Sequence, residues 1–261
     1  MILRDVQNEH DERNVYLRRV GVKGVRYPIV VLDKVNHSQP TIATINMFVD
    51  LPKNYRGTHM SRFIEVLNEF HLEINPKKIR EILKRLKDVL NAQRSVIEIT
   101  FPYFIKKEAP VTKSESYLEY NCTFEGEMIN EHLEFFTSVS IPIHTLCPCS
   151  KEISERGAHN QRAMCNVTFE SKEMIWIEDI IKIVETNSSA PIYTLLKRPD
   201  EKYVTELAYD NPKFVEDVAR DIALELKKCD KIKWYKVEIE SFESIHAHNA
   251  YACVSSDELH A

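Results

Sequence analysis

The sequence predicts an α+β protein in which antiparallel strands pack against helices on one face of a sheet. Several long stretches alternate apolar and polar residues with a period of two, which is typical of strands. Other stretches repeat apolar residues every three or four positions, as amphipathic helices do. Strand pairs and helices follow one another in a similar order in both halves of the 261-residue chain. The pattern therefore favours two tandem modules.

The first half begins with a polar, charge-rich segment, which predicts an N-terminal arm over residues 1–20. The next elements in chain order are a hairpin of two strands over 25–33 and 40–52 and two helices over 59–70 and 75–92. Long strands follow over 95–110 and 116–145, with breaks near Pro110 and Gly126. Asn75 is a good N-cap for the second helix, and Pro76 suits its first position. The first module is predicted to span residues 21–146.

The second half is assigned to a second module over residues 147–261. Its predicted elements are a strand, two helices and a final hairpin, with ranges 162–171, 174–188, 211–229, 232–243 and 246–256. The helix over 211–229 again opens with an Asn-Pro pair. Sheets of this kind have edges that need covering, so assembly with further copies of the chain is expected.

Composition narrows the function classes. The chain is 43% apolar and 29% charged, which is ordinary for a globular protein, and its net charge of -5 argues against nucleic-acid binding. No apolar stretch is long enough to cross a membrane, and the charged N-terminus does not resemble a secretory leader. A cytoplasmic location is expected. Six cysteines without regular spacing favour metal binding or catalysis over disulfides.

The stretch HTLCPCSKEISERGAHNQR contains the first chemical cluster. Cys147 and Cys149 are two apart, so on an extended backbone their side chains would share one face. One thiolate is expected to bind metal and the other to act on substrate. His159 follows twelve residues after Cys147, beyond a polar turn. A histidine in a loop is more often a surface residue, but the neighbouring thiols make it a candidate zinc ligand.

The second cluster is SFESIHAHNAYA. His246 and His248 would share one face of a strand, and Glu243 precedes His246 by three residues. Imidazole combined with thiolate is a donor set that zinc prefers, whereas the alternative is an exposed polar strand end. The sequence therefore predicts a zinc site built from distant segments, in which Mn²⁺ or Fe²⁺ could replace Zn²⁺.

Further candidates come from carboxylates and basic residues. Glu201 lies in a segment predicted to be irregular, where functional residues are common, and Glu216 lies in the first turn of a predicted helix. The chain has five glycines and no phosphate-binding loop, so basic side chains would have to hold phosphates. His59 and Arg62 in RGTHMSRF are candidates, and surface solvation is the alternative for each.

Four motifs in order, RGTHMSRF, TLCPCSKEIS, GAHNQR and ESIHAHNAYA, closely resemble the prokaryotic type IB GTP cyclohydrolase I family over nearly the whole chain. The resemblance implies the tunnelling fold, with two modules per subunit and a homotetramer whose sheets assemble into barrels. It implies hydrolysis of GTP to 7,8-dihydroneopterin triphosphate and formate, the entry step to folate and to 7-deazaguanine tRNA modification.

The resemblance also implies residue roles. Cys147, His159 and Glu201 fall on metal-ligand positions with His246 as a further ligand, Cys149 on a catalytic cysteine, and Glu216 on the guanine anchor. Cys149 and His248 are candidates for proton transfer. Glu243, His59 and Arg62 are candidate substrate-binding residues, and the division of roles between His246 and His248 stays open.

Two alternative functions stay open, and the response to metal removal distinguishes them from the metal-dependent cyclohydrolase. A non-catalytic, zinc-stabilised module would unfold when metal is removed, whereas a catalytic site would lose activity and keep most of its structure. An NADPH-dependent deazapurine nitrile reductase of the same fold would use Cys149 in a covalent adduct and would not respond to chelators.

Overall fold

The structure is a computed structural model that describes residues 6–7, 9–70 and 73–260. These residues form strands β1 to β10, which are Leu17–Asp33, His37–Leu51, Glu73–Ile74, Arg94–Glu108, Glu115–Ile129, His132–Leu146, Asn160–Ser171, Ala190–Pro191, Ile232–Ser241 and Ala250–Ser255. They also form helices α1 to α6, which are Met60–Glu69, Pro76–Leu90, Pro148–Ile153, Ile177–Asn187, Arg198–Asp210 and Val215–Lys227, and a 3-10 helix, Ser256–His260. The predicted α+β class is confirmed. In the part of the chain described, no helix combines the length and apolar content needed to span a membrane.

The chain divides into two compact units. Unit 1 comprises residues 1–102 and 123–136, and unit 2 comprises residues 103–122 and 137–261. Because β4, β5 and β6 each contribute one part to unit 1 and another to unit 2, the units do not follow chain order. The tandem-module boundary after residue 146 stays a prediction.

Unit 1 has the strand order β3-β1-β2-β4-β5-β6, with β1 and β2 forming the predicted hairpin. The first strand is longer than predicted, since it begins at Leu17 inside the segment 1–20 that was predicted to be an arm. Residues 1–5 and 8 of that segment lie outside the described residues.

Helix α2 shows why one predicted strand break is wrong. Asn75 caps the helix as predicted, its side chain accepting a hydrogen bond from the Lys78 backbone N–H at 3.0 Å, and the buried face of α2 packs on the sheet. β5 runs through Gly126 without a break. A Cβ at Gly126 would lie 2.9 Å from Ile79 Cγ2 and 3.0 Å from Leu83 Cδ1, so the glycine permits close approach of α2.

Unit 2 has the strand order β4-β5-β6-β7-β9-β10, and β8 also pairs with β6. Helices α4 and α6 bury their apolar faces, including Ile180, Val184, Val218 and Ile222. Cys122 and Cys165 are fully buried, and burial raises the pKa of both thiols, so they act as small apolar side chains.

Helix α5 corrects two predictions. Glu201 lies in the first turn of this helix rather than in an irregular segment, and Pro199 is the second residue of the helix, where a proline is tolerated. Asn211 is the C-cap of α5 and Pro212 follows it, so this Asn-Pro pair ends one helix rather than opening the next. Helix α6 accordingly starts at Val215, later than predicted.

Asp200 joins α5 to the turn between β4 and β5. Its side chain is 0% exposed and accepts hydrogen bonds from the backbone N–H groups of Val111, Thr112 and Lys197 and from Thr112 Oγ1, at 2.6 to 3.0 Å. Burial raises the pKa of this carboxyl, but the hydrogen bonds lower the pKa by a larger amount. The net result is a pKa well below the ordinary value.

Asp200→Asn is expected to destabilise the fold, because the amide offers one acceptor oxygen where the carboxylate offers two. Since the folded-state pKa is lowered, the stabilisation is fully present above the ordinary aspartate pKa of about 4 and declines as the pH falls below it. Urea unfolding at pH 7 and pH 3 should show a difference between the wild type and the variant that shrinks at pH 3. An equal difference at both pH values would contradict this role.

Candidate functional site

Unit 2 contains a cavity of about 250 Å³ where strand ends meet the first turn of α6. Thr145 of β6, Gln161 of β7 and Ser241 of β9 form one wall, and residues of the loop 242–249 form another. Of the residues predicted from the sequence, those lining this cavity are Cys147, His159, Glu216, Glu243, His246 and His248. The cavity therefore brings together segments that are up to about 100 residues apart.

Cys147 and Cys149 were predicted to share one face of an extended backbone, and this prediction is wrong. Cys147 is the N-cap of α3, where its Sγ accepts a hydrogen bond from the Ser150 backbone N–H at 3.4 Å, and Pro148 is the first helical residue. Cys147 is partly buried and lines the cavity, whereas Cys149 is exposed and is not among the lining residues. The two thiols therefore have different surroundings, because Cys147 precedes the short helix and Cys149 lies within it.

His159 is held beside Cys147 by backbone and side-chain contacts. The Cys147 N–H donates to the His159 carbonyl at 3.1 Å, and the His159 N–H donates to Ser150 Oγ at 3.1 Å. The His159 side chain is 13% exposed, with Nδ1 2.9 Å from Gln161 Oε1 and 3.9 Å from Glu243 Oε2. These contacts leave Nε2 as the ring nitrogen available for a metal.

His246 and His248 lie in the loop between β9 and β10, so the prediction that they share a strand face is wrong. Their rings nevertheless stack, with centroids 5.1 Å apart, and the His246 ring meets the His159 ring edge-on at 6.4 Å. Three imidazoles therefore border one cavity.

Glu216 is exposed in the first turn of α6, as predicted, and lines the cavity. Phe214, the N-cap of α6, also lines the cavity and is 39% exposed. Lys213 is the third neighbour, and its Nζ donates to the Asn187 carbonyl at 2.9 Å and to Asp221 Oδ2 at 2.8 Å. A carboxylate and an exposed aromatic ring thus stand two residues apart at one side of the cavity.

Glu201 is exposed on α5 and is not among the lining residues. Val204 and Ala208, which are three and seven residues after it, pack against Leu146 in a cluster that also includes Ala158. Positions separated by three and seven residues share one helix face. The face of α5 that carries Glu201 therefore packs beside the residues that directly precede Cys147 and His159.

His59 and Arg62 belong to unit 1 and line a different cavity, of about 90 Å³. His59 is the residue preceding α1, and Arg62 Nη1 donates to the Val89 carbonyl at 3.0 Å near the end of α2. Within one chain, these two residues do not line the cavity that contains Cys147.

The donor types around the Cys147 cavity fit a zinc ion. Among the described residues, no three His, Cys, Asp or Glu side chains are already close enough to form a metal-binding group. Cys147, His159 and His246 nevertheless supply one thiol and two imidazoles to one cavity, the mixed donor set that zinc takes. These residues fit zinc through the types of their donor atoms, and not through a ligand geometry that is already formed.

Sequence reasoning missed Gln161, Thr145, Ser241, Lys213 and Phe214 as members of the site. Gln161 lies in the same GAHNQR motif as His159, two residues after it, so its strand position was the available signal. The others belong to strand ends and a helix start that could not be placed beside one another from sequence patterns alone.

Comparison with known proteins supports a specific family. A family model described as type I GTP cyclohydrolase folE2 matches residues 3–252. A protein named GTP cyclohydrolase FolE2 from Fervidobacterium nodosum is 77% identical over 258 residues, covering 99% of each chain. Another of that name from Thermosipho africanus is 65% identical over 257 residues, covering 98% of this chain and 99% of that protein.

Solved structures share the fold at low identity. Urate oxidase from Bacillus subtilis 168 matches with a TM-score of 0.52 and 7% identity, covering 93% of this chain and 100% of that chain. Uricase from Arthrobacter globiformis matches with a TM-score of 0.51 and 6% identity, covering 92% of each chain. The similarity confirms the predicted tunnelling-fold class, whereas the assembly of sheets into barrels stays a prediction.

Proposed function

This chain belongs to the type I GTP cyclohydrolase folE2 family and converts GTP to 7,8-dihydroneopterin triphosphate and formate, and we propose that it does so in the Cys147 cavity with a bound metal ion. The observation that carries the proposal is the meeting of Cys147, three histidines and Glu216 around this one cavity. Thiolate and imidazole can hold a metal there, and a carboxylate can hold guanine.

Cys147, His159 and His246 are the proposed metal ligands from the cavity. Glu201 is the proposed additional ligand, and its place on the face of α5 that packs near Leu146 and Ala158 supports this role. When bound, zinc supplies Lewis acidity that makes water nucleophilic near neutral pH, and Mn²⁺ or Fe²⁺ can supply the same chemistry.

Glu216 is the proposed guanine anchor. Guanine presents its N1–H and its exocyclic amine side by side, so one carboxylate can accept both hydrogen bonds, whereas the adenine edge would leave the carboxylate partly unpaired. The ring of Phe214 supports this role, because an exposed aromatic surface two residues away can stack on the base held by Glu216.

His248 and Cys149 are the proposed proton donors. Opening the imidazole ring of guanine requires a proton at the departing ring nitrogen, and hydrolysis of the formyl group requires a second proton transfer. His248 lines the cavity and stacks on His246, which supports the first role. Cys149 is exposed on α3, one helical residue from Pro148, so its role rests on the resemblance of the TLCPCSKEIS motif.

The remaining substrate contacts are proposed from charge. Glu243 is a proposed substrate-binding residue because it lines the cavity. Its carboxylate accepts a hydrogen bond from the Gln161 amide and lies 3.9 Å from His159 Nδ1. His59 and Arg62 stay proposed substrate-binding residues of unit 1, because cationic side chains are the groups that can hold a triphosphate in a chain without a phosphate loop.

The proposal also includes the oligomeric state, the location and the subdivision of the family. We propose that the enzyme is a homotetramer, that it is cytoplasmic and that it belongs to the type IB subdivision. The resemblance of the four motifs supports the homotetramer and the subdivision, and β10 at the end of the unit 2 strand order offers a strand to a second copy. Light scattering of the purified protein would measure the number of subunits, and a monomer would contradict the tetramer.

Chelation tests the metal. Treatment of the enzyme with a chelator, followed by its removal, is expected to reduce formate release from GTP to the uncatalysed level, because water is then no longer activated. Adding Zn²⁺, Mn²⁺ or Fe²⁺ should restore activity, and circular dichroism should show that the fold is retained throughout. Undiminished formate release by protein shown to be metal-free would contradict the proposal.

A further inference from the structure

Gln161 connects the strand ends around the cavity. Its amide Nε2 donates to Glu243 Oε1 and to Thr145 Oγ1, both at 3.3 Å, and its Oε1 lies 2.9 Å from His159 Nδ1. Ser244 Oγ also donates to Oε1 at 3.5 Å. One half-buried amide therefore joins β6, the start of β7 and the loop after β9.

The hydrogen-bond types determine which way this amide points. A carboxylate can only accept hydrogen bonds, so Glu243 faces the amide NH₂ group of Gln161. The amide oxygen is then left for His159, and an oxygen can only accept. His159 must therefore carry its proton on Nδ1, and the lone pair of a neutral ring lies on Nε2.

We propose that Gln161 is a positioning residue that sets the tautomer and orientation of His159, with Glu243 fixing the direction of the Gln161 amide. The inference rests on the proposed function in one respect, namely that His159 uses Nε2 to bind the metal. Partners that bond the second nitrogen of a metal-binding histidine commonly change metal affinity about 10- to 100-fold when removed. The structure assigns Gln161 that position, and Glu243 acts on His159 chiefly through it.

The tautomer can be measured without any metal. In metal-free wild-type protein labelled with ¹⁵N-histidine, two-dimensional NMR correlating ring nitrogens with carbon-bound protons should show His159 protonated on Nδ1. His159→Gln identifies its signals. In Gln161→Leu, the acceptor is absent, and the signals should move toward the Nε2-protonated form that predominates for free imidazole in water.

A second variant separates this role from a loss of folding. Gln161→Glu keeps an acceptor oxygen beside Nδ1, so it should retain the Nδ1-protonated form even though it loses the hydrogen bond to Glu243, which can only accept. Gln39→Leu makes the same chemical change in the β1–β2 hairpin of unit 1 and should leave the His159 signals unchanged. Circular dichroism verifies that each variant is folded.

Zinc titration gives the second measurement. With Zn²⁺ alone and a chromophoric chelator as competitor, Gln161→Leu should bind about 10- to 100-fold more weakly than the wild type, and Gln161→Glu should bind more tightly than Gln161→Leu. Wild-type His159 protonated on Nε2, or an unchanged tautomer in Gln161→Leu, would overturn the inference. Absence of zinc binding by the wild type would instead contradict the proposed function, and the NMR result would still decide the role of Gln161.

Discussion

Replacing Cys147 with alanine is expected to remove the bound metal and to reduce formate release from GTP by about 1,000-fold or more, since metal activation contributes several kcal/mol to such reactions. Cys147 is the cysteine that lines the cavity together with His159, and it is the N-cap of α3. Alanine leaves the proposed ligands His159, His246 and Glu201 without the thiolate that completes the zinc donor set. Metal analysis of the purified variant and a formate assay measure both effects.

Two matched variants make the Cys147 result specific. Cys149→Ala should retain the metal, because the Cys149 thiol is exposed and lies outside the cavity lining. It should lose turnover, because Cys149 is a proposed proton donor. Cys253→Ala, on the exposed strand β10, should retain both metal and activity. Full metal occupancy in Cys147→Ala would remove this residue from the metal site, and normal turnover in Cys149→Ala would remove that residue from the mechanism.

Replacing Glu216 with glutamine is expected to lower kcat/KM for GTP by about 100-fold. The amide retains one acceptor oxygen but places an NH₂ donor against the donor edge of guanine, so at least one hydrogen bond to a charged group is lost, at about 1.5 to 3 kcal/mol. The side chain lines the cavity from the first turn of α6, where the change preserves shape and removes charge. Steady-state kinetics with GTP measure the effect.

A matched substitution on the same helix controls for the loss of a carboxylate. Glu225→Gln lies near the C-terminal end of α6, where Glu225 pairs with Lys228 at 2.6 Å, and it should leave kcat/KM unchanged. The metal content of Glu216→Gln should equal that of the wild type, since the residue is assigned to guanine. An unchanged kcat/KM in Glu216→Gln would exclude Glu216 as the guanine anchor.

Local signals allowed some elements to be predicted closely, and the same signals were misread elsewhere. Asn75 and Pro76 correctly marked the start of α2, because capping depends on a few neighbouring residues. Pro148 and Pro199 also lie in the first turns of helices, but the segments that contain them were interpreted as extended and as irregular. The weak apolar periodicity of α5 left Pro199 without support from the residues that follow it.

Predictions about shared faces failed where the backbone was not a strand. The period-of-two argument placed His246 and His248 on one strand face, yet both lie in a loop and still border one cavity. The same argument placed Cys147 and Cys149 together, whereas α3 gives their thiols different surroundings. Side-chain direction follows backbone conformation, so an error in local structure changes which residues can meet.

The sequence by itself determined the fold class, the family and the types of chemical group available, because periodicity and motifs are properties of neighbouring residues. Only the tertiary structure decided that Cys147, His159, Glu216 and the histidine loop line one cavity and that Gln161 joins the strand ends between them. Those meetings depend on strand register and on long-range packing, and neither is encoded in the spacing of any single motif.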